Sequence, residues 1–188
     1  MVTNYQSHQR VAIFVDVQNM FYSAKHLRDS KINYGKLLER GINGRKLVRA
    51  ICYLVDTPET DQTNFIEMLE NNGYQVKIKP LRVRGDGSSK GDWDMGIAID
   101  AISISHKVDN VVLVSGDGDF IDLVVHLQSR GVFVEAISFP KSTNDDLITS
   151  VDKHIPIEKD LLIPIMDKDS KSYQRKQRPA PKAPKRKN

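Results

Sequence analysis

Two apolar runs with no polar alternation, each delivered straight into an aspartate-bearing turn, constrain the fold of this chain more than any other feature. Val-Ala-Ile-Phe-Val at residues 11–15 leads into Asp16, and Val-Val-Leu-Val at residues 111–114 leads into Ser-Gly-Asp-Gly-Asp, which carries Asp117 and Asp119. A strand solvated on one face alternates; an unbroken apolar run is expected where both faces are covered, as in a parallel sheet. Such strands hand whatever follows them to the carboxyl edge of the sheet, where open α/β sheets bind ligands. Acids roughly a hundred residues apart in sequence are thus expected to meet in one pocket.

The rest of the chain alternates strand and helix in the βαβ manner. Strands are expected at residues 11–16, 47–55, 74–80, 111–115 and 132–138, with helices near 20–28 and 34–40, one running through residue 71, and others near 92–105, 120–129 and 144–151. Asp56-Thr-Pro-Glu supplies a start signal for the third helix and Asn72-Gly73 a stop. Residues 155–158 read as a small edge strand, because Pro156 cannot donate to a central ladder. The expected class is α/β, a three-layer α/β/α arrangement around a mainly parallel sheet of about five strands. One domain at residues 11–165 follows a flexible segment at 1–10, and a basic tail at 166–188 is expected to be disordered.

Charge separates the tail from the domain. Residues 168–188 hold nine of the 28 Lys and Arg and one of the 24 acids, so the tail is +8 and the preceding 167 residues are −4. The tail has little to bury and three prolines that forbid a regular helix. A basic arm beside an acidic domain suits a polyanionic partner, since it supplies the salt-dependent affinity for phosphates that a carboxylate cluster repels. Cys52 is the only cysteine, which rules out an intrachain disulfide and a Cys-x-x-Cys zinc site. No run approaches the roughly 18 apolar residues needed to span a bilayer. The expectation is a cytoplasmic protein without a membrane partner.

Two further segments carry candidate chemistry. The stretch from Arg82 to Asp94, Arg-Val-Arg-Gly-Asp-Gly-Ser-Ser-Lys-Gly-Asp-Trp-Asp, gathers cations and acids around three glycines. Arg82, Arg84 and Lys90 are candidates for holding phosphates or for stabilising charge on a phosphoryl oxygen. Asp92 is assigned to capping the next helix, and Asp94 to the pocket. Small residues at Ala98, Ala101 and Ser105 continue the Asp94 stripe and let that helix lie close to the sheet. Asp100, on another face, is assigned a structural or solvated role. Trp93 is left between base stacking and anchoring the loop, and Phe21 and Tyr22 between packing, flanking the pocket and stacking on a base. After the last long strand, Ser142, Asn144 and Asp145 are placed at the same sheet edge. The five histidines have no metal-ligand spacing.

Phe-Val-Asp-Val-Gln-Asn, Lys-Gly-Asp-Trp-Asp-Met-Gly-Ile-Ala-Ile-Asp-Ala and Val-Ser-Gly-Asp-Gly-Asp-Phe, in that order, resemble the NYN domain of the PIN-like nucleases, and more narrowly its LabA-like branch. The resemblance covers about residues 11–158. It implies a PIN-like α/β/α fold and metal-dependent hydrolysis of phosphodiesters, with RNA the expected substrate and single-stranded DNA left open. The first-motif acid matches Asp16, with Asn19 as its polar companion, the helix-start acid matches Asp94, and the paired acids match Asp117 and Asp119. Asp94 is preferred to Asp92 on its six-residue interval to Asp100.

The residue types support the same chemistry without the family. Mg²⁺ and Mn²⁺ prefer carboxylate oxygens, and a pair of such ions about 3.5–4 Å apart can activate water for in-line attack at phosphorus. Asp16 and Asp117 are expected to bind the ion directly, Asp94 to complete or bridge the site, and Asp119 to be a ligand, a general base or simply a helix cap. Ser115, Gly116 and Gly118 are expected to allow a sharp turn and offer amides near the phosphate. A haloacid-dehalogenase phosphohydrolase fails because Gln18 stands where its acid should be, and a dinucleotide-binding domain fails because no glycine-rich turn follows the first strand. The competing function is a catalytically weak RNA-binding or regulatory module.

Overall fold

The computed structural model describes residues 5–56, 60–83, 89–90 and 92–165. In chain order these form β1 (Arg10–Asp16), α1 (Val17–Arg28), β2 (Ser30–Ile32), α2 (Tyr34–Ile42), β3 (Lys46–Asp56), α3 (Thr63–Asn71) and β4 (Gln75–Pro80). There follow β5 (Arg82–Val83), β6 (Ser89–Lys90), α4 (Asp94–Ile104), β7 (Asn110–Val114), α5 (Ile121–Ser129), β8 (Phe133–Ser138), α6 (Asp145–Ser150), β9 (Lys153–Pro156) and β10 (Leu162–Pro164).

Six strands pair in parallel in the order β4-β3-β1-β7-β8-β9. The chain builds outward from β1 through β3 to β4, then crosses to β7 and builds the other way. The order therefore reverses between β1 and β7, which opens a crevice beyond their carboxyl ends.

The continuous apolar runs have the cause inferred from them, since residues 11–15 of β1 and all five residues of β7 are buried. Val11, Ile13 and Val15 face Met20 and Ala24 of α1, Leu37 of α2 and Leu69 of α3. Ala12 and Phe14 face Ile97 and Ala101 of α4, Leu123 and Leu127 of α5 and Leu147 of α6. Two helical layers thus sandwich one sheet, as expected. The small residues of α4 meet that layer directly, with Ala101 wholly buried and Ser105, just beyond the helix, nearly so.

Several details differ from expectation. The sixth strand is the anticipated edge strand, but β9 lies two residues ahead of the expected segment; Pro156 is its last residue, on the outermost strand. Helix α1 begins at Val17, because Asp16 accepts the Asn19 N–H and closes the first turn. The three-residue strands β2 and β10 pair antiparallel outside the main sheet, and β5 and β6 form a two-residue hairpin. Such strands are too short to carry a period in sequence.

Among the described residues no helix is long and apolar enough to cross a membrane. The tail expectation, and that for the first four residues, falls outside the described residues.

Candidate metal centre

Each acid reaches the crevice by a different local device. Asp16 ends β1 and caps α1, with Oδ1 accepting the Asn19 N–H at 3.0 Å. Asp117 follows β7 and caps the short 3-10 turn Gly118–Phe120 by accepting the Asp119 N–H at 3.0 Å. The capping carboxylate of this turn is therefore Asp117, and Asp119 is left exposed on it. Asp94 is the first residue of α4, which shares a helical layer with α5, the helix after the Asp117 turn.

Carboxylate oxygens of Asp94, Asp117 and Asp119 all lie within 4.8 Å of one another. Asp16 stands beside this trio rather than in it, and Ser115 Oγ lies 3.4 Å from its Oδ2. The electrostatics register the crowding. Burial, then the charges of Asp117, Asp92, Asp16 and Asp119, push the Asp94 pKa up to about 6. Burial is also the main influence raising that of Asp16, with Asp117 adding to it, while bonds from Asn19 and Ser115 pull the other way. Acids that resist ionisation because they face one another are relieved by a cation between them. An all-oxygen donor set of this kind fits a hard divalent ion such as Mg²⁺ or Mn²⁺.

The β7 turn is fastened on two sides. Gly116 donates its N–H to Asn19 Oδ1 at 3.1 Å, tying the turn to α1. On the other side lies the loop after β8, where Asn144 N–H donates to Gly116 O at 3.0 Å. A Cβ on Gly116 would meet Thr143 Cα at 3.0 Å, and one on Gly118 would meet Asn144 Nδ2 at 2.7 Å. Close approach, not an unusual backbone angle, requires glycine here. The Gly116 amide, expected to face a phosphate, is instead committed to Asn19, and Asn19 uses its carbonyl oxygen to hold the turn.

Other expected residues are placed as follows. Ser142 lies exposed on the β8–α6 loop, and its Oγ bonds Ser23 Oγ at 2.9 Å while its carbonyl oxygen abuts Gly116. Asn144 caps α6 through bonds from Asp146 and Leu147 amides, and exposed Asp145 opens that helix. Arg82 and Lys90 are paired by their backbones in the β5–β6 hairpin, and Arg84 lies outside the described residues.

Asp92 does not cap α4, whose N-cap position is held by Trp93 without a side-chain cap. Trp93 is an anchor: Nε1 donates to Leu54 O at 2.6 Å, its ring packs 5.2 Å from Tyr53, and Lys79 Nζ sits 4.6 Å over it. Asp100 has the structural role expected, accepting from Tyr53 OH at 2.6 Å and pairing with Lys77 at 2.7 Å. Phe21 and Tyr22 pack no core and are more than half exposed, whereas Met20 is fully buried. Thr143 and the Asn19–Gly116 latch leave no mark in the sequence, since no spacing signal joins positions on separate loops.

Comparison with known proteins places these residues in a family. The NYN domain matches residues 10–158. The low amplitude and bright protein LabA of Synechococcus elongatus is 29% identical over 156 residues, covering 79% of this chain and 83% of that protein. A solved structure of a Vibrio parahaemolyticus protein of unknown function superposes with a TM-score of 0.78 at 36% identity, covering 87% of this chain and all of the other.

Proposed function

Because this chain belongs to the NYN domain family, in its LabA-like branch, we propose that the acid-lined crevice is the active site of a divalent-metal-dependent ribonuclease. The observation that carries the proposal is the convergence of Asp94, Asp117 and Asp119 oxygens within 4.8 Å at the point where the strand order reverses. Four carboxylates brought together from three segments cost electrostatic energy in the free chain, and a structural cluster offers nothing to offset that cost.

In this proposal Asp94, Asp117 and Asp119 would hold Mg²⁺ or Mn²⁺, and Asp16 would add negative charge beside them. The bound ion would lower the pKa of an attacking water and offset charge developing on the phosphoryl oxygens. Asp119, the most exposed of the trio, would accept the proton as the water oxygen bonds to phosphorus, while the bond from phosphorus to the departing ribose oxygen breaks and that oxygen takes a proton from solvent. Ser115 and Asn19 act as positioning residues, the first on Asp16 and the second on the turn bearing Asp117. Arg82, Arg84, Lys90 and Ser142 remain proposed contacts to RNA phosphates around the crevice. The tail at residues 168–188 adds sequence-independent affinity.

The test is to incubate the purified chain and its Asp117→Asn variant with labelled single-stranded and structured RNA in Mg²⁺, Mn²⁺ or EDTA. Cleavage should require a divalent ion and fall at least a hundredfold in the variant, with RNA affinity largely kept. Cleavage equal in both proteins marks a contaminant. Binding without any cleavage in either protein favours the regulatory-module alternative.

A further inference from the structure

A second feature of the α4 side of the sheet has no part in the acid cluster. Arg49, Ile51, Tyr53 and Val55 alternate along β3 on the face that α4 covers, since Ile51 and Tyr53 share a core with Ile97 and Ala101. In register beside them on the edge strand β4, Lys77 pairs with Tyr53 and Lys79 with Val55, so both lysines point to the same side. Here the flank of α4 borders a groove.

At its far end lies a cleft of about 240 Å³ lined by Phe14, Arg49, Asp100, Ser103 and Lys107 among others. Along the groove come Lys77, paired with Asp100, and then Lys79 over Trp93, the residue before Asp94. The groove thus runs the length of α4, roughly 16 Å at 1.5 Å per residue, and ends at the acids.

Its charge runs against that of the body around it. The first 167 residues are net −4, yet this groove sets four cations against one acid, and Asp100 is already matched by Lys77. Among the described residues, Arg49, Lys79 and Lys107 take part in no ion pair. Lys107 by itself could be explained by the carbonyl end of α4, which favours a cation. Arg49 cannot, because it projects from a strand and is exposed. Four cations in a row, three of them outside any ion pair among the described residues, match a chain of phosphates better than a single anion. A cleft of this size has no room for a duplex.

We infer that this groove, from Arg49 and Lys107 past Lys77 and Lys79, is the track along which the backbone of single-stranded RNA reaches the acid cluster. The inference rests on the proposed ribonuclease reading for the identity of the ligand, and its test is separate because it reads binding alone.

The experiment compares the full chain with an Arg49→Ala/Lys107→Ala variant, binding short labelled single-stranded RNA across a salt series in EDTA, where cleavage is silent. Both proteins retain the basic tail. Affinity should fall about tenfold or more, and the plot of log affinity against log salt should become shallower by about 1.4, the value for two lost phosphate contacts on a single strand. Thermal melts within a few degrees of each other establish that the variant is folded. As a second measurement, 4-thiouridine RNA crosslinked to the unmodified chain should mark peptides containing Arg49 or Lys107. Unchanged affinity and slope, or crosslinks confined to residues 168–188, would overturn the inference. An equal loss with duplex RNA would overturn its single-strand part. A chain that binds through the groove yet never cuts sinks the nuclease proposal alone, and one that cuts with the groove variant unaffected sinks this inference alone.

Discussion

Asn19 Oδ1 accepts the Gly116 N–H at 3.1 Å, so the first turn of α1 is fastened to the loop that follows β7. The two turns carry Asp16 and Asp117, and this bond sets their separation. Asn19→Ala would leave a buried amide without its acceptor, at a cost of about 1–2 kcal/mol measurable by chemical denaturation. Because displacement of reacting groups by about 1 Å can cost a hundredfold in rate, kcat for RNA cleavage should drop ten- to a hundredfold. Unaltered kcat in a folded variant would remove Asn19 from the positioning scheme.

The raised Asp94 pKa gives the metal-free chain a distinctive pH dependence. An acid whose folded pKa, about 6, lies above its unfolded value near 3.8 binds its proton more tightly in the native state. That contribution to stability is fully present below the unfolded value and is lost as pH rises through about 6. Partial exposure of the side chain screens the effect, so we expect roughly 0.5–1 kcal/mol of added stability on going from pH 7.5 to pH 5 in EDTA. Millimolar Mg²⁺ or Mn²⁺ should raise Tm at pH 7.5 and flatten the profile, and Asp94→Asn should raise Tm in EDTA and abolish the metal response. A pH profile that Asp94→Asn leaves unchanged would show the strain to lie elsewhere.

Gly118 packs against the residue that caps α6. A Cβ there would meet Asn144 Nδ2 at 2.7 Å and Cγ at 2.8 Å, while Asn144 Oδ1 is holding the Asp146 and Leu147 amides. Gly118→Ala should therefore cost about 1–3 kcal/mol through displacement of the cap. Coupling is the diagnostic: in combination with Asn144→Gly the two losses should sum to less than their separate values in a double-mutant cycle. Strict additivity would contradict this account.

At the opposite end of the sheet Arg45 and Glu135 form an ion pair, each side chain only 4% exposed, with Lys153 Nζ 3.5 Å from the second Glu135 oxygen. Arg45 also donates to Gly41 O at 2.7 Å, which pins the link between α2 and β3. Removing one partner strands a buried charge, so Glu135→Ala should cost about 3–5 kcal/mol. Metal affinity of the folded fraction should stay as it was, since neither residue approaches the acids. Calorimetric titration with Mn²⁺ below the transition temperature checks the second half of the prediction.

The sequence made the layers legible because burial on both faces leaves an unmistakable mark: β1 and β7 are apolar at every interior position, and their exits had to share one sheet edge. Asp94 was legible for a different reason, as an acid opening a helix of small and apolar residues. What escaped notice were contacts between loops. A glycine turn points to the Gly116 amide as a donor to phosphate, but its hydrogen bond to Asn19 depends on how two distant turns dock. Chemical type points to Asp92 as a cap, whereas one residue of difference in the helix start hands the position to Trp93. The Arg49 groove was equally hidden, since its cations come from β3, β4 and the end of α4 with no common spacing.

Asp16 and Asp117 do two jobs at once: each offers an oxygen to a backbone amide at the start of the element it precedes, and each carries charge into the crevice. Asparagine satisfies the first job about as well as aspartate does. One base change at either codon would therefore keep both caps while removing a negative charge from the crevice, so the architecture by itself places no demand on these positions to stay acidic.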